Sequence, residues 1–325
     1  MTSIERFLDI EPYESGMLDV GDGQWLYWER VGNPEGLPAV YLHGGPGSGS
    51  TTGARTYFDP AVWNVLLFDQ RGAGRSQPRA SSPDTDLSVN TTQHLIADIE
   101  RLREVHGGGV QRWAVLGISW GATLAQAYAH AHPERVAGIV LAAVTMTSQR
   151  EVEWITEDMR RIFPEAWDAL ASGIPESMRG LRIIDAYAQL TANPDPAIHT
   201  AAAQAWCAWE DTHVSLMPGY THDTRYDDPE FALRFARLVT HYWSNAAFLD
   251  ADQLMRDAAT LNGIPGILVH GRYDVSGPLD IPWELGKRWV TSDLRIVDDA
   301  GHGGGSFSSV VTTAVRDMAR LATWA

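Results

Sequence analysis

A serine held between two glycines, in the run Gly117-Ile118-Ser119-Trp120-Gly121, constrains the fold of this chain more than any other feature. The strand-like run Trp113-Ala114-Val115-Leu116 precedes it, and the helix-like run Ala122-Thr123-Leu124-Ala125-Gln126-Ala127-Tyr128 follows. G-x-S-x-G in that setting is a nucleophile elbow, a sharp strand-to-helix turn that exposes the serine hydroxyl at its tip. The glycines leave room where side chains would collide with neighbouring backbone. Ser119 is therefore a candidate nucleophile, and the chain around it must be built of alternating strands and helices.

The rest of the sequence agrees. Gly16–Val20 and Gln24–Arg30 flank the turn signal Gly21-Asp22-Gly23 and read as a hairpin. Short apolar runs follow at residues 39–42, 65–68, 113–116 and 138–141, bounded by Gly and Pro. Strands with no polar alternation suit a parallel sheet covered on both faces. Between the second and third runs, Leu95, Ile96, Ile99, Leu102 and Val105 recur at helical spacing. Asn90-Thr91-Thr92 offers N-caps to that helix, and Gly107-Gly108-Gly109 ends it. With 325 residues, 44% of them hydrophobic, the chain can bury one large α/β core with an inserted unit.

From about Thr145 to Asp250 no strand-like run occurs, and Trp154, Trp167, Trp206, Trp209 and Trp243 punctuate helical text. Sheet text resumes at Gly266–Gly271 and at Leu294–Val297, and a helix from about Ser306 to Trp324 follows. The expected fold is α/β, of the α/β-hydrolase type, a mostly parallel doubly wound sheet with an inserted helical cap. Residues 1–144 and 251–325 would form the catalytic domain, and 145–250 the cap.

A serine hydroxyl needs a base, and the base needs a group that fixes its tautomer and stabilises its cation. In this fold they follow the serine in the order acid, then histidine. Asp274 lies just past the strand ending at Gly271, and His302 in Ala300-Gly301-His302-Gly303, just past the last strand. Both fall at the carboxyl edge of the sheet, where open α/β folds bind ligands. His270 sits inside an apolar run and reads as structural, and Asp298 and Asp299 are too close to His302 in sequence to be its usual acid. The tetrahedral intermediate needs backbone donors. His43-Gly44-Gly45-Pro46-Gly47 matches an oxyanion loop, so the amides of Gly44 or Gly45, with that of Trp120, are the candidate oxyanion hole. Pro46 has no N–H to offer, and His43 reads as a hydrogen-bonding residue rather than a second base.

The formal charge of −16 argues against nucleic acid or an anionic membrane as partner. It suits solubility and, more weakly, the attraction of cationic substrates. One cysteine, Cys207, excludes an intramolecular disulfide. Metal-ligand spacings are lacking, and no phosphate loop follows a strand, so no cofactor is expected. Met1–Arg6 lacks the layout of a signal peptide, and no apolar run approaches a membrane span, so a cytoplasmic location is expected.

Taken together the motifs resemble the proline iminopeptidase (prolyl aminopeptidase) family of α/β-hydrolases. The matches are HGGPG at 43–47, DQRGAGRS at 69–76, NTT at 90–92, DIERLR at 98–103, SWG at 119–121 and HPERV at 132–136, then IFPEAW at 162–167, WCAWE at 206–210, GRYD ending at 274, and the final Gly301-His302. The resemblance implies a serine exopeptidase that removes an N-terminal residue, usually proline, through an acyl-enzyme. Its substrate would be a small molecule or short peptide with a free amine. It further implies that Glu210, with its neighbour Trp209, binds substrate, the carboxylate pairing with the α-ammonium. One departure stands out. The family's A-R-I-E-N-H-Y-F, whose Glu also holds the amine, reads Ala236-Arg237-Leu238-Val239-Thr240-His241-Tyr242-Trp243 here. Two alternatives stay open on that account: release of an aminoacyl group from a non-peptide acyl chain, and an esterase that needs no free amine.

Overall fold

The computed structural model describes residues 6–216 and 220–324; Met1–Glu5, including most of the stretch read against a signal peptide, lies outside them, as do Met217, Pro218, Gly219 and Ala325. Eight strands make one sheet: β1 (Glu14–Asp19), β2 (Trp25–Gly32), β3 (Leu37–Leu42), β4 (Trp63–Phe68), β5 (Trp113–Ile118), β6 (Val136–Ala142), β7 (Gly266–Gly271) and β8 (Ser292–Val297), in the order β1-β2-β4-β3-β5-β6-β7-β8. The β1–β2 hairpin joins the rest antiparallel, and every pairing from β4 through β8 is parallel. β6 and β7 are buried along their whole length, as their unalternating apolar text requires, whereas β8 at the edge is only partly covered.

The helices are α1 (Thr52–Arg55), α2 (Thr92–Val105), α3 (Trp120–Ala131), α4 (Gln149–Thr156), α5 (Pro164–Ser172), α6 (Ile183–Thr191), α7 (Pro196–His213), α8 (Pro229–Ser244), α9 (Gln253–Arg256), α10 (Asp280–Arg288) and α11 (Phe307–Leu321). One face of the sheet packs on α2, α3 and α10 through Leu95, Ile99, Leu124, Tyr128 and Leu285. The other packs on α11 through Phe307, Val311, Val315 and Met318. The helix read between the second and third apolar runs is α2, with Thr91 as its N-cap. Helix α10 carries little signal in the sequence. It presents Ile281, Pro282 and Leu285 inward from an otherwise polar surface, too few apolar positions to declare it.

Between β6 and β7 the chain leaves the sheet for α4–α8, which bury a core of their own around Met159, Tyr187, Trp206, Trp209, Phe235 and Val239. These helices start where chemistry dictates. Ser148 and Glu151 close a reciprocal capping box on α4, and Asp195 and Asp228 cap α7 and α8 just ahead of Pro196 and Pro229. No helix among the described residues is long and apolar enough to cross a membrane.

Candidate active site

Ser119 stands between β5 and α3 at φ 57° and ψ −124°, a conformation that side-chain-bearing residues avoid. The turn is possible because its neighbours are glycines. A Cβ on Gly121 would sit on the carbonyl oxygen of Leu42, and one on Gly117 on that of Gly121. Gly121→Ala is therefore expected to lower stability by about 3 kcal/mol or more, read as a shifted urea midpoint; an unshifted midpoint would mean that the β3 end yields and the close approach is dispensable.

The three side chains read from sequence converge. Ser119 Oγ and His302 Nε2 are 2.9 Å apart, and His302 Nδ1 is 2.9 Å from Asp274 Oδ2. Asp274 is buried, and its Oδ1 accepts the Gly277 N–H at 3.0 Å. Burial alone would depress the basicity of His302, but the charge of Asp274, its hydrogen bond and the more distant Glu210 outweigh burial and hold the imidazole above its ordinary range. Burial would likewise raise the Asp274 carboxyl; His302, His270 and the Gly277 amide hold it below its ordinary value. His270 serves as structure. Its Nδ1 accepts from Val144 N at 3.0 Å, its Nε2 donates to Gly277 O at 2.6 Å, and burial keeps its pKa low.

The glycine loop after β3 lies against the elbow. A Cβ on Gly44 would come within 3.2 Å of the Ser119 Cβ, and Gly45 holds φ 111°, which glycine alone adopts freely. His43 is enclosed beneath. Its Nε2 accepts from Gln70 N at 3.0 Å, which leaves Nδ1–H to donate to Gly44 O at 2.8 Å. Gln70 also donates to His43 O at 2.9 Å and accepts from Trp120 Nε1 at 2.8 Å. One amide thus ties the glycine loop to the residue after the nucleophile. Asp69 accepts from Ser50 N at 2.7 Å and from Arg75 N and Nε at 2.8 and 2.7 Å, and Arg71 makes a two-pronged pair with Asp98 at 2.7 and 2.8 Å. The DQRGAGRS run, carried in the sequence only by resemblance, is the scaffold of the glycine loop, with buried Asp69 and Gln70 as its ties.

Cap and sheet enclose a chamber of about 320 Å³, lined by Gly44, Gly45, Ser119, Trp120 and His302 from the sheet edge and by Glu210 from α7. Val152, Ile155, Phe235 and Trp243 give it an apolar wall. Glu210 is buried; Trp206 Nε1 donates to its Oε1 at 3.0 Å, and His213 Nε2 lies 3.1 Å from its Oε2. Glu151, Asp223 and Ser276 are among the other residues that line it. Both oxygens of Glu151 are taken by the Met146 and Ser148 amides, and burial pushes its carboxyl up.

Trp209 does not join this site. It is not among the lining residues, is 1% exposed, and stacks edge-on with Phe163 inside the cap. One helical step of 100° separates it from Glu210, and the two cannot share a face. Val239, the departure from the family pattern, falls four residues from both Phe235 and Trp243, which line the chamber, and is itself fully buried in the core of the cap.

Residues 38–305 match the α/β-hydrolase fold family. A probable proline iminopeptidase of Streptomyces coelicolor is 50% identical over 95% of this chain and 96% of its own. A proline iminopeptidase of Xylella fastidiosa is 45% identical, covering 90% of this chain and 92% of its own. Among solved structures VinJ superimposes with a TM-score of 0.66 at 18% identity, over 96% of this chain and all of that one, a likeness of fold.

Proposed function

Because this chain belongs to the α/β-hydrolases, and within them to the proline iminopeptidase family, we propose that it is a serine hydrolase that releases N-terminal prolyl residues from small amides and peptides. The observation that carries the reading is the placement of Glu210: a buried carboxylate in the same chamber as Ser119 and His302. Anchoring an ammonium there brings the first carbonyl of a substrate to the nucleophile and excludes chain-internal bonds.

In this reading Ser119 Oγ attacks the carbonyl while His302 Nε2 takes its proton, and Asp274 steadies the imidazolium. His302 then hands the proton to the leaving amine, and water hydrolyses the acyl-enzyme by the same exchange. The oxyanion rests on backbone amides at Trp120 and in the glycine loop. Of the two candidates in that loop, Gly45 is favoured. His43 holds the Gly44 carbonyl at 2.8 Å, and in a trans peptide the N–H of the next residue points the opposite way, off the buried histidine. A single, buried Cys207 suits the reducing cytoplasm as the working compartment.

A panel of aminoacyl-β-naphthylamides tests the reading. Prolyl-β-naphthylamide should be turned over fastest, its N-acetyl derivative should be a poor substrate, and p-nitrophenyl esters without an amine should show no advantage. In Glu210→Gln the KM for the prolyl substrate should rise about 10- to 100-fold, the loss of one desolvated charge pair, with the N-blocked substrate little changed. Equal changes for both would remove Glu210 from the amine site. Preference for an aminoacyl amide on a long acyl chain would instead favour the second reading, which the apolar wall and the uncharged Val239 support.

A further inference from the structure

The carbonyl of Ser119 belongs to the same peptide as the N–H of Trp120. Its oxygen accepts the Ala122 N–H at 2.7 Å and the hydroxyl of Thr145 at 3.0 Å. Thr145 lines the chamber just past β6, where the chain leaves the sheet for the cap. Two more hydroxyls stand behind it. Thr123 Oγ1, on α3, lies 3.1 Å from Thr145 Oγ1 and 2.9 Å from Thr147 Oγ1. Each hydroxyl has one proton to give, and Thr145 gives its own to a carbonyl that can only accept. All three contacts are therefore hydrogen bonds in one direction only: Thr147 donates to Thr123, Thr123 to Thr145, and Thr145 to Ser119 O.

The row is held from both sides. Gln126 Nε2 donates to the Thr145 carbonyl at 3.0 Å, and Glu151 Oε1 accepts the next amide, that of Met146, at 2.9 Å. Thr123 and Thr147 are buried, so water does not compete for their hydroxyls. Thr147 stands at φ 53°, a region that β-branched residues avoid. Strain of that kind persists only where the surroundings over-determine it. Here it sets the far end of the row against Thr123.

We propose that Thr145 is a positioning residue of the oxyanion hole, and that the threonine row polarises the peptide through which Trp120 offers its N–H. Trp120 opens α3, so its N–H has no acceptor within the helix. In a trans peptide that N–H points opposite to the Ser119 oxygen. A donor on the oxygen draws electron density from the nitrogen, and the N–H becomes a stronger donor in turn. Three hydroxyls and one peptide thus line up head to tail, with their positive ends toward the place where the oxyanion forms. No proton moves along the row, which is in place before charge develops. The proposal rests on Ser119 being the nucleophile of an acyl transfer and needs nothing of Glu210.

Residues 119 and 120 form the one Ser-Trp step in the sequence. A protein made with carbonyl-labelled serine and nitrogen-labelled tryptophan therefore shows this peptide as a single carbonyl-to-amide correlation by NMR. In Thr145→Val, of nearly the same shape, the carbonyl carbon and the amide proton of that signal should both move upfield. Loss of an oxyanion donor costs about 10²–10³ in kcat, and one link strengthens the next hydrogen bond by about 10–30%. Taken as a share of that exponent, kcat for p-nitrophenyl acetate should fall about two- to eightfold, with KM unchanged. Thr145→Ser, which keeps the hydroxyl, should restore both signal and rate. Thr123→Val should move the signal the same way by less. A fall in kcat with the signal unmoved would make the hydroxyl a mere prop of the elbow, and a moved signal with kcat unchanged would leave the polarisation without effect; either overturns the proposal. If Thr145→Val does not fold, an unmoved signal in Thr123→Val overturns it. Ser119→Ala separates the two levels: parental ester hydrolysis there would sink the nucleophile itself, whereas an inactive Ser119→Ala with an unmoved signal in Thr145→Val sinks only the role of the row.

Discussion

Ser119→Ala is expected to be a folded protein with kcat lower by a factor on the order of 10⁵–10⁶, because removing one member of a triad costs nearly as much as removing all of it. The fold should hardly notice. The substitution deletes one hydroxyl and its 2.9 Å contact with His302, a net loss of about 1 kcal/mol for a hydrogen bond. The backbone strain at φ 57° is common to serine and alanine and does not change. In a chain of this size that corresponds to a shift in Tm of no more than about 2 °C. The same variant should lose covalent labelling by a fluorophosphonate, which requires the activated oxygen. Near-normal turnover, or labelling that survives, would place the nucleophile elsewhere in the chamber. A collapse in Tm would show that the hydroxyl is a structural element.

Much of this site was legible in the sequence because it is built from punctuation. Glycines at 117 and 121 announce an elbow, and Asp274 and His302 each follow an apolar run that ends at the sheet's carboxyl edge. His270, inside such a run, was rightly read as structural. What could not be read is what long-range packing decides. The pairing of Gln70 with His43 and Trp120 joins residues 27 and 50 positions apart, and an amide side chain has no spacing signature. His213 and Ser276 meet across 63 positions for the same reason. Trp209 misled because a motif gives adjacency along the chain, whereas the face of a helix is set by its 100° step and by which side packs on Phe163. Helix α10 escaped because it covers the sheet with a handful of apolar side chains on a charged surface.

Asp274→Asn should lower kcat by about 10⁴, and the pH dependence should identify the reason. An asparagine side chain can present its oxygen or its amide to His302; the latter stabilises the tautomer whose Nε2 carries the hydrogen, and such a ring cannot accept the proton of Ser119. Two opposing effects act on the basicity of His302 in the parent. Burial lowers it, and Asp274 raises it by more. The acid limb of kcat/KM in the parent therefore lies above the ordinary histidine value of 6.5. With that charge gone, burial is opposed only by the more distant Glu210 and the limb moves to lower pH, so the deficit of the variant is larger at pH 8 than at pH 5. Stability follows the opposite course. A histidine raised on folding contributes stability that is complete below the unfolded value of 6.5 and is lost as pH rises through the folded one. A carboxyl depressed on folding contributes above 3.8 and is lost as pH falls through its folded value. The pair thus stabilises the fold most between those limits. The difference in urea stability between parent and Asp274→Asn should be larger at pH 5 than at pH 9. A difference independent of pH would mean that Asp274 holds the loop through its hydrogen bond to Gly277 and not through the charge it presents to His302.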